Sequence, residues 1–395
     1  MPKALEGIRV LDLTHVLAGP FAGYQLAVMG AEVIKIEAPD EPDQARFQGS
    51  DHGLNDEGMG TAFLAQAANK QSLTLNLKTE AGREVLRELV MTADVLIENY
   101  RPGALDALGL GYAELSALKP ELVYCSISAF GSTGPKRELT AYDGVIQAYS
   151  GMMAMTGEAG SDPVKCGAPV VDYATGTTAA AAILAALFYR KNSGRGQFVE
   201  VAMSDVALIL CSSHVTGYLW NGSHPEQKGN RYPFATIGCY HAEDAPLVIS
   251  ASNLRQQKRL WEALGRGDLV KANNRERLRG YAAEFEALEA IIATRTAAHW
   301  EQALRAAGVP VSRVQRMESM LEDEHVNSRG VLHRFSNEPG PLKGLIVPTA
   351  AFRLSACEVG VGALPQAAGA QNESILGGLG YSDGDLRRFK SEGVI

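Results

Sequence analysis

The chain has 395 residues, of which 46% are hydrophobic and 21% charged, with a formal net charge of -8. That length leaves room for a large core and for two domains, and the balance of residues excludes an intrinsically disordered chain. The acidic excess argues against a nucleic-acid partner, which needs a concentrated basic face, but leaves room for one anionic cofactor held by a local basic patch. The N-terminus shows no apolar run followed by a small-residue cleavage site, and no stretch reads as long enough to span a bilayer, so a cytoplasmic location with no membrane partner is expected. The five cysteines (Cys125, Cys166, Cys211, Cys239, Cys357) form no CxxC pair, so reduced thiols and no metal site are expected.

Arg9 to Leu13 reads as a strand, a helix follows from about Pro20, and Glu32 to Ile36 reads as a second strand. Strands that are apolar at nearly every position suit a parallel sheet covered on both faces. Glu37 stands where a dinucleotide site would carry its ribose-binding acid. The Gly-x-Gly-x-x-Gly fingerprint is absent, however, and Pro20 removes an amide donor from the turn, so NAD is not expected. The pattern then repeats with a strand over Ser72 to Leu77, a helix from Thr79 to about Met91, a strand over Val95 to Glu98, a helix around Tyr112 to Leu118 and a strand in LVYCSISAFG.

This alternation predicts an α/β domain that binds ligands in the loops beyond the carboxyl ends of its strands. Those loops are His15 to Pro20, Asn99 to Gly103 and Gly131 to Arg137, and they make His15, Val16, Ala18, Asn99 and Tyr100 candidate binding residues. Arg46, Lys70, Arg101, Lys136 and Arg137 are candidate phosphate-binding cations, although each alone also reads as a solvated surface charge.

In the stretch CGAPVVDYATGTT, Asp172 precedes a long alanine-rich helix that Gly194 stops. An aspartate there reads as an N-terminal cap, as a reacting carboxylate that the helix dipole keeps ionised, or as both together. Cys166 is a rival nucleophile. The turn-rich segment Glu158 to Pro163 lets the chain fold back, so that Tyr142 and Asp172 can face one cleft. After a strand in QFVEVAM and an apolar helix through DVALILCSSHVTGYLWNG, a domain boundary falls near residue 222. Residues 223–330 predict a smaller α+β domain, with a hairpin about Glu243-Asp244 and helices over Arg255 to Ala263, Ala283 to Thr294 and Ala298 to Ala306. Residues 331–395 return to the large domain with a strand near Leu345 to Val347 and a short helix near Asp383 to Phe389.

Several ordered motifs together carry a resemblance: LEGIRVLDLTHVLAGPFAG, GAEVIKIEAP, ENYRPG, the loop with GPKRE, AYDGVIQAYSG, and GAPVVDYATG followed by GRGQFVEVAM. With them the chain resembles the class III CoA-transferases, the superfamily of formyl-CoA transferase, carnitine CoA-transferase and the α-methylacyl-CoA racemases. The resemblance implies an interlocked homodimer, each subunit having a Rossmann-like large domain made from both ends of the chain (residues 1–222 and 331–395) and a small middle domain. It implies coenzyme A as substrate and product and Asp172 as the residue that becomes acylated. CoA transfer without hydrolysis stores the thioester energy covalently, which a carboxylate does by forming a mixed anhydride.

The racemases carry a histidine at the position of Tyr142. A phenol, which ionises only near about pH 10, is a poor base at neutral pH, so Tyr142 favours transfer over racemisation. A CoA-binding module without catalysis is the third alternative. Leu17 replaces a glutamine of formyl-CoA transferase, and that enzyme's run of glycines is missing. Small dicarboxylates with a donor such as succinyl-CoA are therefore expected in place of oxalate and formate, and Arg46, Arg231 and His241 are candidates to meet a second carboxylate.

Overall fold

The computed structural model describes residues 1–336 and 341–395. They divide into two compact units, one formed by Met1–Met152, Lys165–Ser223 and Arg329–Ile395, the other by Met153–Val164 and His224–Ser328. In the first unit β1 (Arg9–Asp12), β2 (Glu32–Glu37), β3 (Lys70–Thr74), β4 (Val95–Glu98), β5 (Val123–Ser128) and β6 (Gln197–Ala202) form one parallel sheet in the order β3-β2-β1-β4-β5-β6. The connecting helices are α1 (Ala18–Val28), α2 (Glu80–Thr92), α3 (Tyr112–Leu118), α4 (Asp143–Tyr149) and α5 (Val170–Ser193), with α6 (Met203–Leu210) and α7 (Ser212–Asn221) after β6.

Alternate strand residues face opposite layers, and both layers are buried. Val10, Val33, Val95, Val123 and Cys125 pack with α1 and α5, while Leu11, Ile34, Leu73, Leu96 and Tyr124 meet α2, α3 and the two C-terminal helices α11 (Asn372–Gly378) and α12 (Asp383–Ser391). Strand order reverses between β1 and β4, which opens a crevice beyond their carboxyl ends. A two-stranded antiparallel ribbon of Leu332–Arg334 with Ile346–Pro348 completes this unit.

The α5 helix begins two residues before Asp172 and ends on Gly194, whose φ of +68° suits glycine at a helix stop. At 24 residues it is long and apolar enough to cross a bilayer, against the expectation that no stretch is. Ala179, Ala180, Ile183 and Leu187 are nonetheless buried against α1 and the sheet, as in a core helix. The crossing with α1 is close. A Cβ on Gly176 would stand 2.5 Å from the Ala18 carbonyl oxygen, so only glycine lets α5 approach the first turn of α1.

The second unit holds an antiparallel sheet of β7 (Ile237–His241), β8 (Pro246–Ser250) and β9 (Val311–Arg313). With α8 (Leu254–Ala263), α9 (Tyr281–Ile292) and α10 (Ala297–Ala306) it encloses a core around Tyr240, Trp261 and Trp300. Residues 153–164, which the sequence places in the first domain, group with this unit because their hydrogen bonds lie there: Gly229 N–H donates to Gly157 O at 2.8 Å and Gln227 Nε2 to Thr156 O at 2.9 Å.

Candidate active site

The loop after β1 carries no secondary structure of its own, yet other segments bind its backbone at almost every residue. Lys35 Nζ donates to Thr14 O at 2.7 Å. His15 N–H donates to Asn99 Oδ1 at 2.8 Å, and Asn99 Nδ2 returns a bond to His15 O at 2.9 Å. Val16 is held at φ +72°, costly for a β-branched residue. Its N–H donates to Asp43 Oδ1 at 2.9 Å and its carbonyl accepts from Gln66 Nε2 at 2.6 Å. Beneath the loop lie three buried ion pairs: Lys70 to Asp12 at 2.8 Å, Lys35 to Asp43 at 3.0 Å and Arg46 to Glu37 at 2.6 Å.

The pinned loop forms one wall of a cavity of about 200 Å³, where His15, Val16, Ala18, Asn99, Tyr142 and Asp172 come together with Leu17, Ile127 and Met203. Asp172 is the third residue of α5 and does not cap it. Pro169 occupies the cap position without a capping side chain, and the carboxylate that accepts from the amides of the first turn belongs to Asp143, at the start of α4. Its Oδ2 takes Val171 N–H at 2.8 Å and Asp172 N–H at 3.2 Å, and its Oδ1 takes Gln147 Nε2.

The dipole's positive end thus serves Asp143, so the expectation that it keeps Asp172 ionised is reversed. Burial, reinforced by the neighbouring Asp143 carboxylate, pushes the Asp172 carboxyl up to about 7. Among the described residues no lysine or arginine lines the cavity. Burial also lowers the proton affinity of His15, with Lys35 adding to the effect, so its ring is neutral at pH 7. Tyr142 is 61% exposed at the mouth. Cys166 is exposed and is not among the lining residues.

His15 also borders a second cavity of about 590 Å³, with Tyr100, Leu105, Asn76 and Lys78 among its walls. The His15 Nε2 to Tyr100 Oη distance is 3.2 Å. Lys78, which sequence reasoning missed, is the cation here. It lies just past β3, its side chain is 81% exposed, and it stands 3.6 Å from Glu41. The signal was its place at a strand's carboxyl end.

Lys70 is not among the residues lining either cavity. It opens β3, and its ammonium is buried between Asp12 and the Pro20 carbonyl, which accepts at 2.6 Å. Arg46, 1% exposed, is held by both Glu37 oxygens and stacks 3.8 Å from the Phe63 ring, which also takes Glu37 out of any ribose-binding role. Arg101 lines a separate cavity with Glu98, whose carboxyl burial pushes up to about 7. Lys136 lies 5.0 Å over the Tyr149 ring, and Arg137 pairs with Glu138 on the surface. In the second unit Arg231 lies over Phe285 and His241 is exposed at the end of β7. Among the described residues no cluster of three or more His, Cys, Asp or Glu side chains has the placement of a metal site.

A parallel sheet in Rossmann order with a carboxylate in the crevice at its switch point is an α/β frame for binding a small ligand. Residues 5–371 match CoA-transferase family III, and the chain belongs to that family of CoA-transferases. It is 36% identical to the succinate–glutarate CoA-transferase of Agrobacterium fabrum, over 85% of this chain and 86% of that one. It is 35% identical to the formyl-CoA:oxalate CoA-transferase of Streptomyces avermitilis, over the whole of both. Among solved structures it resembles a CAIB/BAIF family protein from Brucella suis, with a TM-score of 0.83 and 31% identity over 96% of this chain and 100% of that one. Rv3272 from Mycobacterium tuberculosis is similar too, with a TM-score of 0.83 and 31% identity over 94% and 99%.

Proposed function

We propose that this CoA-transferase moves CoA from an acyl-CoA thioester to a small carboxylic or dicarboxylic acid with Asp172 as the nucleophile. The observation that carries this reading is the Asp172 carboxylate, set without a counter-cation in the cavity that His15 and the uncapped first turn of α1 also border. The larger cavity beyond His15, with Lys78 at its edge, takes the body of CoA; the thioester reaches past His15 to Asp172.

Ionised Asp172 attacks the donor acyl carbonyl, the C–S bond breaks, and CoA thiolate leaves the mixed anhydride. The thiolate then attacks the aspartyl carbonyl of the anhydride, releasing the donor acid as carboxylate and leaving an aspartyl-CoA thioester. The acceptor carboxylate repeats the two steps in reverse and regenerates Asp172. Backbone amides at the start of α1, near Ala18, steady the oxyanions, and bound substrate that fills the small cavity keeps water from the anhydride. The relatives' substrates, succinate with glutarate in one and formyl-CoA with oxalate in the other, support a short dicarboxylate as one partner, and a succinyl-CoA:glutarate CoA-transferase among the relatives supports a donor such as succinyl-CoA.

The second unpartnered feature is a run of exposed apolar side chains on α5 to α7: Phe188 at 71%, Ile209 at 71%, Leu219 at 77% and Trp220 at 86%. It supports a homodimer that covers them, and a chain sedimenting as a monomer would refute that. For the reaction, mass spectrometry after incubation with succinyl-CoA and hydroxylamine is expected to place the modification on Asp172, and Asp172→Ala to lose CoA exchange by about a thousandfold or more. Deuterium wash-in beside the thioester without CoA exchange would instead make the chain a racemase.

A further inference from the structure

The amides at the start of α5 can be accounted for one by one. Val170 N–H donates to Ala168 O at 2.8 Å, and Tyr173 N–H makes the first bond of the helix, to Pro169 O. The two remaining donors, Val171 and Asp172, both go to Asp143 Oδ2. Pro169 holds the cap position with no polar side chain, and the partner that replaces it lies 28 and 29 residues away on another helix. Asp143 is 8% exposed and Gln147 fully buried. Gln147 donates to Asp143 Oδ1, while its own Oε1 accepts from Cys166 N–H at 2.9 Å. One buried pair of side chains on α4 therefore holds the approach to α5 at Cys166 and the first turn of α5 at residues 171 and 172.

We propose that Asp143 is a positioning residue for the transfer reaction, its buried carboxylate fixing the first turn of α5 so that Asp172 is aimed into the cavity while a negative charge stands behind it. This rests on Asp172 being the nucleophile. An ordinary cap only needs to accept hydrogen bonds, which an asparagine oxygen also does. A carboxylate adds a repulsion that destabilises ionised Asp172, in line with burial and Asp143 together raising its proton affinity. The other titratable groups described on the cavity wall are His15, neutral by burial, and Tyr142; Asn99, Ser128 and Thr140 are uncharged. None of them supplies a positive charge to cancel that repulsion. A carboxylate held this way is more basic and hence more nucleophilic once ionised, and its acyl derivative, being neutral, relieves the repulsion as it forms.

The test uses the full chain with succinyl-CoA, following the rate at which the Asp172 adduct forms by rapid-quench mass spectrometry across pH. Asp143→Asn keeps an oxygen for the two amides and loses the charge, so the acidic limb of the rate profile is expected to move down by about 0.5 to 1 pH unit. Asp143→Ala leaves the amides bare and is expected to slow adduct formation by at least ~10-fold, with Asp143→Asn recovering most of that loss at high pH. A folded Asp143→Asn chain whose limb stays at the native pH overturns the inference, since a purely structural cap predicts that result. So does a folded Asp143→Ala chain that forms adduct at the native rate. If Asp143→Ala does not fold, the Asp143→Asn profile decides alone. If the native chain forms no adduct on Asp172, the nucleophile reading itself fails, whatever the variants do, and this inference falls with it.

Discussion

The carboxylates around β1 and β2 and those at the start of α5 lie in the same unit, but they are balanced in opposite ways. Asp12, Asp43 and Glu37 are each buried against a cation, Lys70, Lys35 and Arg46 respectively. Burial alone would raise their proton affinities, but the cations and hydrogen bonds outweigh it, so all three stay below the usual carboxylate range. Asp143 and Asp172 share one helix start with no lysine or arginine among the described residues of the cavity wall, and Asp172 is pushed up to about 7. On the proposed reaction, the difference separates scaffolding from chemistry: charge that holds a loop in a strained conformation is paired, and the carboxylate proposed to take an acyl group is not.

The most damaging way to break this contrast is to unbalance the balanced side. Lys35→Met removes the donor to Thr14 O and leaves Asp43 buried without its cation. Stripping one partner from a buried pair costs about 3–5 kcal/mol, so urea denaturation is expected to show a loss of that size. Asp43 also holds Val16 N–H, so any folded fraction should bind CoA more weakly. An unchanged midpoint would mean that the pair contributes no net stability.

Gly176→Ala attacks the junction between the two regions. The added methyl carbon meets the Ala18 carbonyl at 2.5 Å, inside any tolerable contact, so α5 must retreat from α1. Overpacking of this kind costs about 1–3 kcal/mol. Because Ala18 and Asp172 line one cavity, turnover is expected to fall by about 10- to 100-fold. Comparing kcat with native at equal folded fraction checks it. Full activity would show that the crossing does not set the geometry of the site.

How much of this was legible in the sequence follows from the range of the interactions involved. The strand over Val95–Glu98 and the helix over Tyr112–Leu118 fall where local periodicity puts them, because hydrophobic pattern and helix signals act over a few residues. Asp172 and Tyr142 meet in one cavity, which turn chemistry suggested without proving. Lys70 and Arg46 read as surface cations because their partners stand 58 and 9 residues away and only the folded sheet shows which way each side chain turns. Lys35, in the middle of the strand EVIKIE, gave no sign that it would be buried under a loop. The capping of α5 by Asp143 was equally hidden. A cap normally lies next to its helix in sequence, and this one reaches across from another.

The smallest effect expected is on stability, and it sharpens the contrast most directly because its sign is opposite on the two sides. Asp172 takes up a proton near pH 7 in the folded chain and near its ordinary value of 3.8 when unfolded. Between those values the native state holds a proton that the unfolded state has released, so this carboxyl makes the fold less stable as pH rises from about 4 to about 7 and leaves a constant deficit above. The paired carboxylates Asp12, Asp43 and Glu37 act the other way: their stabilisation is present at neutral pH and is lost as pH falls. Asp172→Asn should therefore gain about 1–2 kcal/mol over the native chain at pH 8 and much less at pH 5, after discounting the shift for the cavity's opening to solvent. Glu98, also near 7, remains in the variant and keeps a residual slope, which Glu98→Gln should remove. Paired urea titrations at the two pH values measure the difference, and an equal gain at both would show that Asp172 is no less easily ionised in the fold than in the open chain.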